Sequence, residues 1–184
     1  MNPAFSQNGY KDSMTTFIKN YVDKHEVVLG KNRQHLHFYP INESFRINTR
    51  FEKVDNSPWF LMPTSGPSKS MYRIYGKAHF NLHDTAVTLN IYQSQDLMQM
   101  AQHKDHLFIP FTDATSGIET YEGGRYFDLT IHDIKDNSLI IDFNKVYNPY
   151  CAYVSNVYSC PIPPKENHLS ITIKAGEKSY SKAH

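Results

Sequence analysis

Tyr72-Arg-Ile-Tyr-Gly-Lys-Ala-His-Phe-Asn-Leu82, the short link His83-Asp-Thr85 and the run Ala86-Val-Thr-Leu-Asn-Ile-Tyr92 decide the fold. In the second run Val87, Leu89 and Ile91 alternate with Thr88, Asn90 and Tyr92, the period of two that a half-buried strand requires. With so short a link, the two runs form an antiparallel hairpin. Gly76 marks a bulge or bend inside the first run, because a glycine there supplies no side chain to pack.

The same period extends outward. Upstream, Phe45, Ile47, Thr49 and Phe51 alternate with Arg46, Asn48, Arg50 and Glu52. Downstream, Leu107–Phe111, Arg125–Ile131, Leu139–Phe143 and the alternation of Leu169, Ile171 and Ile173 read as further strands. Pro110 lacks an N–H to give a ladder, which predicts an edge or a bulge for its strand. Before all of these, Met14, Phe17, Ile18, Tyr21, Val22 and Val28 recur at helical spacing. Asp12 or Ser13 can cap the start of this helix, and Gly30 suits the position just past its end.

The expected architecture is mainly β, a single antiparallel β-barrel or β-sandwich with an N-terminal amphipathic helix. Residues 1–10 form a disordered or processed tail, 11–30 the helix packing on the domain, and 31–184 the β-rich domain. Between Val146 and Asn167 lie four prolines, four tyrosines and both cysteines. This stretch is irregular yet aromatic, so it should pack on the domain, and long ordered loops usually carry function.

The chain has 184 residues, 19 Lys and Arg against 18 Asp and Glu, and 24 Tyr and Phe. That aromatic load excludes intrinsic disorder. A net charge of +1 gives no general field toward nucleic acid or anionic lipid. No apolar run approaches the roughly 18 residues of a membrane span. Met1–Tyr10 has neither a basic start nor an apolar core, so it is no signal peptide. Ala4-Phe5-Ser6-Gln7 nevertheless reads as the tail of one, or else as an ordinary polar tail.

Cys151 and Cys160 match neither a CxxC redox pair nor a four-ligand zinc pattern. In an exported protein they would close a disulfide, and in the cytosol they would be two buried thiols. His35-Leu-His37 would set two imidazoles on one strand face, but no third ligand stands at a telling spacing, and no metal or cofactor is expected. There is no GxSxG elbow around Ser116, and Gly123-Gly124 lacks the rest of a phosphate-binding loop.

Polar groups crowd between Phe111 and Glu177. The candidate ligand-binding residues are Asp113, Glu119, Tyr121, Arg125, Asn144, Asn148, Glu166 and Asn167. Asp142 and Asn144 share one strand face, and a buried Asp142 needs a partner, for which Arg125 is the candidate. The cluster is either a network anchoring the loops, the heavier reading, or the floor of a polar pocket.

Several stretches also stand in a recognisable order: Leu107-Phe-Ile-Pro-Phe-Thr-Asp113, Thr115-Ser-Gly-Ile-Glu-Thr-Tyr121, Gly124-Arg-Tyr-Phe-Asp-Leu129, Ile141-Asp-Phe-Asn-Lys-Val-Tyr-Asn-Pro-Tyr-Cys-Ala-Tyr153 and Tyr158-Ser-Cys-Pro-Ile-Pro-Pro-Lys-Glu-Asn167. With the closing Lys174-Ala-Gly-Glu-Lys178, this order resembles the bacterial family called domain of unknown function 1684, from about Tyr39 to Lys178. The resemblance implies membership but no activity. His35-Leu-His37 stands where that family usually shows an aromatic or glycine-leucine stretch, which weakens a metal reading further. Members often look exported, so the resemblance moves the expectation toward the periplasm or envelope, with the cytoplasm as the alternative.

Two functions remain. One is a β-rich module that binds a small polar molecule in the 111–167 region, with binding lost and the fold kept on Arg125→Ala. The other is a hydrolase or isomerase using Glu119 and Asp142 as an acid/base pair, which requires both carboxylates in one cleft.

Overall fold

The computed structural model describes residues 3–82 and 84–181, with side chains from residue 9 onward. Helix α1 (Pro3–Asp23) precedes strands β1 (Arg46–Lys53), β2 (Phe60–Met62), β3 (Ser70–Leu82), β4 (Thr85–Ser94), β5 (His106–Phe111), β6 (Arg125–Thr130) and β7 (Ser138–Asp142). All pair antiparallel in one sheet of order β6-β5-β4-β3-β1-β7, with β2 also on β3. The sheet curls into a half-barrel: Phe127 and Leu129 from one end and Leu139 and Ile141 from the other bury into the same core as Phe51, Phe80, Leu89, Ile91 and Ile109. There is no second sheet to make a sandwich among the described residues.

The hairpin forms where the alternation places it. Leu82 pairs with Thr85, so the connection is two residues, and Asp84 takes φ 60, the left-handed conformation such short turns demand. His83 lies outside the described residues. The register slips between Ile74 and Gly76. A Cβ at Gly76 would stand 2.4 Å from the Phe51 ring and 2.8 Å from the Glu52 carbonyl, so only glycine lets β1 approach the bulge.

Four expectations change. The helix begins before Lys11 and ends at Asp23, short of Gly30, because the His25 ring accepts the Val27 and Val28 amides that would have continued it. Met1 and Asn2, from the expected tail, lie outside the described residues. His35 ends a 3-10 turn, Gly30–His35, and His37 bonds Ser181, so the two imidazoles share no strand face.

Strand β5 is interior, between β4 and β6, despite Pro110. The Asn167 side chain fills the gap: Oδ1 accepts from the Asn90 N–H, while Nδ2 donates to the Asn90 and Pro110 carbonyls. A side-chain amide thus replaces the peptide group that proline cannot supply.

Finally, Leu169–Ile173 forms no strand, although the Leu169 N–H bonds the Thr112 carbonyl and the Ile171 carbonyl accepts from Ala114. Ile173 and Ala175 are buried as alternation requires, yet the carbonyls of Ile173, Ala175 and Glu177 all turn to one guanidinium, that of Arg125. The planar guanidinium presents five N–H donors in a fixed fork, enough to collect all three. Gly176 (φ 74) lets this arm cross residues 143–146, where a Cβ would meet two backbone oxygens at 2.7 Å.

Candidate functional site

Four of the sequence-derived site residues pair with one another, Asp113 with Arg125 and Asp142 with Asn144. Arg125 is 1% exposed and shares the inward face of β6 with Phe127 and Leu129. Its ion-pair partner is Asp113, at 3.4 Å, and not Asp142. Asp113 in turn accepts from the Thr115 hydroxyl and from the Ile173 N–H. Burial draws the Arg125 guanidinium below its ordinary pKa, with Asp113 opposing the shift.

Asp142 caps the turn after β7. It accepts from the Tyr10 hydroxyl on α1 and from both the backbone N–H and side-chain Nδ2 of Asn144. Asn144 Oδ1 accepts the Asn42 N–H, and Asn167 is consumed by β4 and β5. Asn148 donates its N–H to Glu177 and its Nδ2 to the Lys178 carbonyl. Glu119 lies at the surface, 2.8 Å from Lys174 Nζ, which holds its carboxyl below the usual range. Tyr121 is half-buried and Glu166 exposed.

Asp113, Glu119, Arg125, Asn144, Asn148 and Asn167 thus all bond groups of their own chain. Glu119 and Asp142 are not brought into one cleft: Asp142 lines the main cavity and Glu119 does not. Cys151 and Cys160 are joined by a disulfide, and the Cys151 N–H is directed at Cys160 Sγ.

The sequence reading missed Glu177, whose side chain ties three segments together. It is 0% exposed and accepts from Tyr21 on α1, from Tyr153 in the disulfide loop and from the Asn148 N–H. Burial pushes its carboxyl up to about 7 against the pull of these donors. The Tyr21 and Tyr153 hydroxyls are raised by the same burial and by the Glu177 charge.

A cavity of about 1000 Å³ lies elsewhere, as a slot between the two sheet ends and beneath α1. Phe17, Asn20, Tyr21 and Lys24 line it from α1, residues 127–129 from β6, and Ile140 and Asp142 from β7. Tyr147, bridged to Tyr126, lines it, as does Lys135 from the turn in which it pairs with Ser138.

Its edges carry spare peptide groups. Tyr126 exchanges both backbone bonds with Tyr147, so its polar groups point away from β5, as Pro110 opposite requires. Asp128, two residues on, presents its N–H and C=O to the same side. On β7, Ser138 bonds Lys135, and Ile140 likewise turns its peptide groups away from β1. Neither pair has a partner among the described residues.

The acids of the slot are engaged by protein donors. Tyr150 donates to Glu26, Tyr147 to Asp128, Thr130 to Asp133, and Tyr10 and Asn144 to Asp142. Its cations Lys24, Arg46, Lys135 and Lys145 make no ion pair among the described residues.

No curated protein matches this chain. Among solved structures it is similar to an uncharacterized protein of Haloarcula marismortui, determined by solution NMR. The two share 23% identity at a TM-score of 0.67, over 93% of this chain and 96% of that one, a likeness of fold alone. A family model described as "Protein of unknown function (DUF1684)" matches residues 31–178, from the turn before β1 to the C-terminal arm that Arg125 holds. With most of its length matched, the chain belongs to the DUF1684 family.

Proposed function

We propose that this chain is a binding module for a small polar ligand and that the slot between β6 and β7 is its site. The observation that carries the reading is the pair of unpartnered peptide groups, at Asp128 and Ile140, lining one cavity of about 1000 Å³. Backbone groups on rigid strand edges are fixed in direction, so they can orient a ligand at little cost in ordering. The location differs from the 111–167 cluster, where Asp113, Arg125, Asn144 and Asn167 bond groups of their own chain.

Amide NMR on the whole protein tests this with a panel of sugars, amino acids and carboxylic acids. Saturable shifts at the Asp128 and Ile140 amides are expected with at least one member. A panel that leaves both amides still would overturn the proposal.

We also propose that the protein works in an oxidising compartment, the periplasm or envelope. The disulfide between Cys151 and Cys160 supports this, because reducing cytosol keeps such pairs as thiols. Protein taken from its native cells and alkylated at once should keep the bond, with a denatured mass two hydrogens below the reduced chain. Alkylation at both cysteines would overturn it.

A further inference from the structure

We infer that the ligand of the slot is an organic anion with an apolar body, its charge held by Arg46, Lys135 and Lys145 and its body lying against Phe17 and Ile140. The inference rests on the slot being the binding site and adds the class of ligand. It begins from an asymmetry in hydrogen bonding. Every slot acid already has a donor from the protein beside it: Tyr150 for Glu26, Tyr147 for Asp128, Thr130 for Asp133 and Tyr10 for Asp142. The slot cations carry donors without acid partners. Four acids and four cations line the cavity, so no net field selects the ligand. Selection comes from free donors, which suit a carboxylate, sulfonate or phosphate.

The apolar part follows from two large side chains left open on different walls. Phe17 on α1 is 37% exposed and Ile140 on β7 is 43% exposed, and both line the slot. Lys145 Nζ stands 5.5 Å from the Phe17 ring, so an anion reaching that ammonium also reaches an aromatic surface. The size follows from the short run of β6 that lines the slot. Only residues 127–129 of β6 line the slot between the Tyr126–Tyr147 bridge and the Lys135–Ser138 turn. At about 3.3 Å per strand residue that edge is roughly 10 Å long, room for a small molecule and too short for a peptide strand of useful length.

The probe is 8-anilinonaphthalene-1-sulfonate, whose fluorescence rises in apolar surroundings, beside N-phenyl-1-naphthylamine, which has the same rings without the sulfonate. The native protein should bind the sulfonate at one saturable site and the neutral amine at least tenfold more weakly. Lys135→Gln and Lys145→Gln should each weaken the sulfonate by about tenfold, the loss of one charge-assisted hydrogen bond. Both lysines are exposed, so neither change threatens the fold. Ile140→Glu, also at an exposed position, should abolish binding.

Equal binding of both probes, unmoved by the lysine changes but lost in Ile140→Glu, would leave the slot as the site and overturn the anion. Sulfonate binding that survives Ile140→Glu would place the probe elsewhere and overturn the inference. If neither probe binds and the amide titration is also silent, the slot itself is not a site and both proposals fall.

Discussion

Arg125→Ala is expected to cost about 4 kcal/mol of folding stability, a large part of what a domain of this size possesses. The change strands Asp113 as a buried charge and removes the donors of three carbonyls, those of Ile173, Ala175 and Glu177. It also leaves a void beside Phe111, whose ring lies 5.5 Å from the guanidinium carbon. Arg125→Lys keeps the charge but not the planar fork, and should recover less than half of the loss. Adding Asp113→Ala to Arg125→Ala should cost less than the two single changes summed, because the stranded charge is gone. Urea unfolding of the four proteins measures all of this. A folded Arg125→Ala protein with an unchanged midpoint and lost ligand binding would return Arg125 to the role its sequence position suggested.

Glu177→Gln is expected to flatten the pH dependence of stability and to raise stability at pH 8. The Glu177 carboxyl sits at about 7 in the fold against an ordinary 4.5, so between those values the folded chain holds a proton that the unfolded chain has released. Its contribution is fully present below about pH 4.5, is lost as pH rises through 7 and is constant above. The shift corresponds to roughly 3 kcal/mol over that window. Other carboxylates titrate too, so the quantity to measure is the difference between wild type and Glu177→Gln from pH 4 to 8. The glutamine can still accept from Asn148 while donating toward Tyr153, which keeps the site filled. A constant difference across that range would mean that Glu177 is ionised throughout. Because Tyr21 bonds the same carboxylate, the protection of the α1 amides, measured against their intrinsic exchange rates, should fall above pH 7 in wild type alone.

What the sequence made legible was what repeats locally. The hairpin of β3 and β4, the bulge at Gly76 and the strands β1, β6 and β7 all announce themselves through alternation or a glycine within a few residues. The three residues of β2 are too few to alternate, and they were not read. Pro110 was read by a local rule that Asn167, 57 residues away, overrides. Glu177 had no local signal, since its donors come from residues 21, 148 and 153. The polar cluster is legible as a unit, but the partner of Arg125 is not, because Asp113 and Asp142 are equally good candidates on chemistry alone. The slot could not be read at all. It exists only where α1 and the two ends of the sheet come together.

The guanidinium that gathers the last arm also sets an order of events during synthesis. Strands β5 and β6 leave the ribosome long before the segment that completes them. Until Asn167 emerges, the interruption at Pro110 stays open, and until Glu177 emerges, Arg125 has only Asp113 to face. A nascent chain halted short of residue 173 therefore carries an unfinished interior and a hydrated ion pair where the native protein is dry. Such chains are the natural clients of chaperones and proteases, because their unfinished interior is open to other chains.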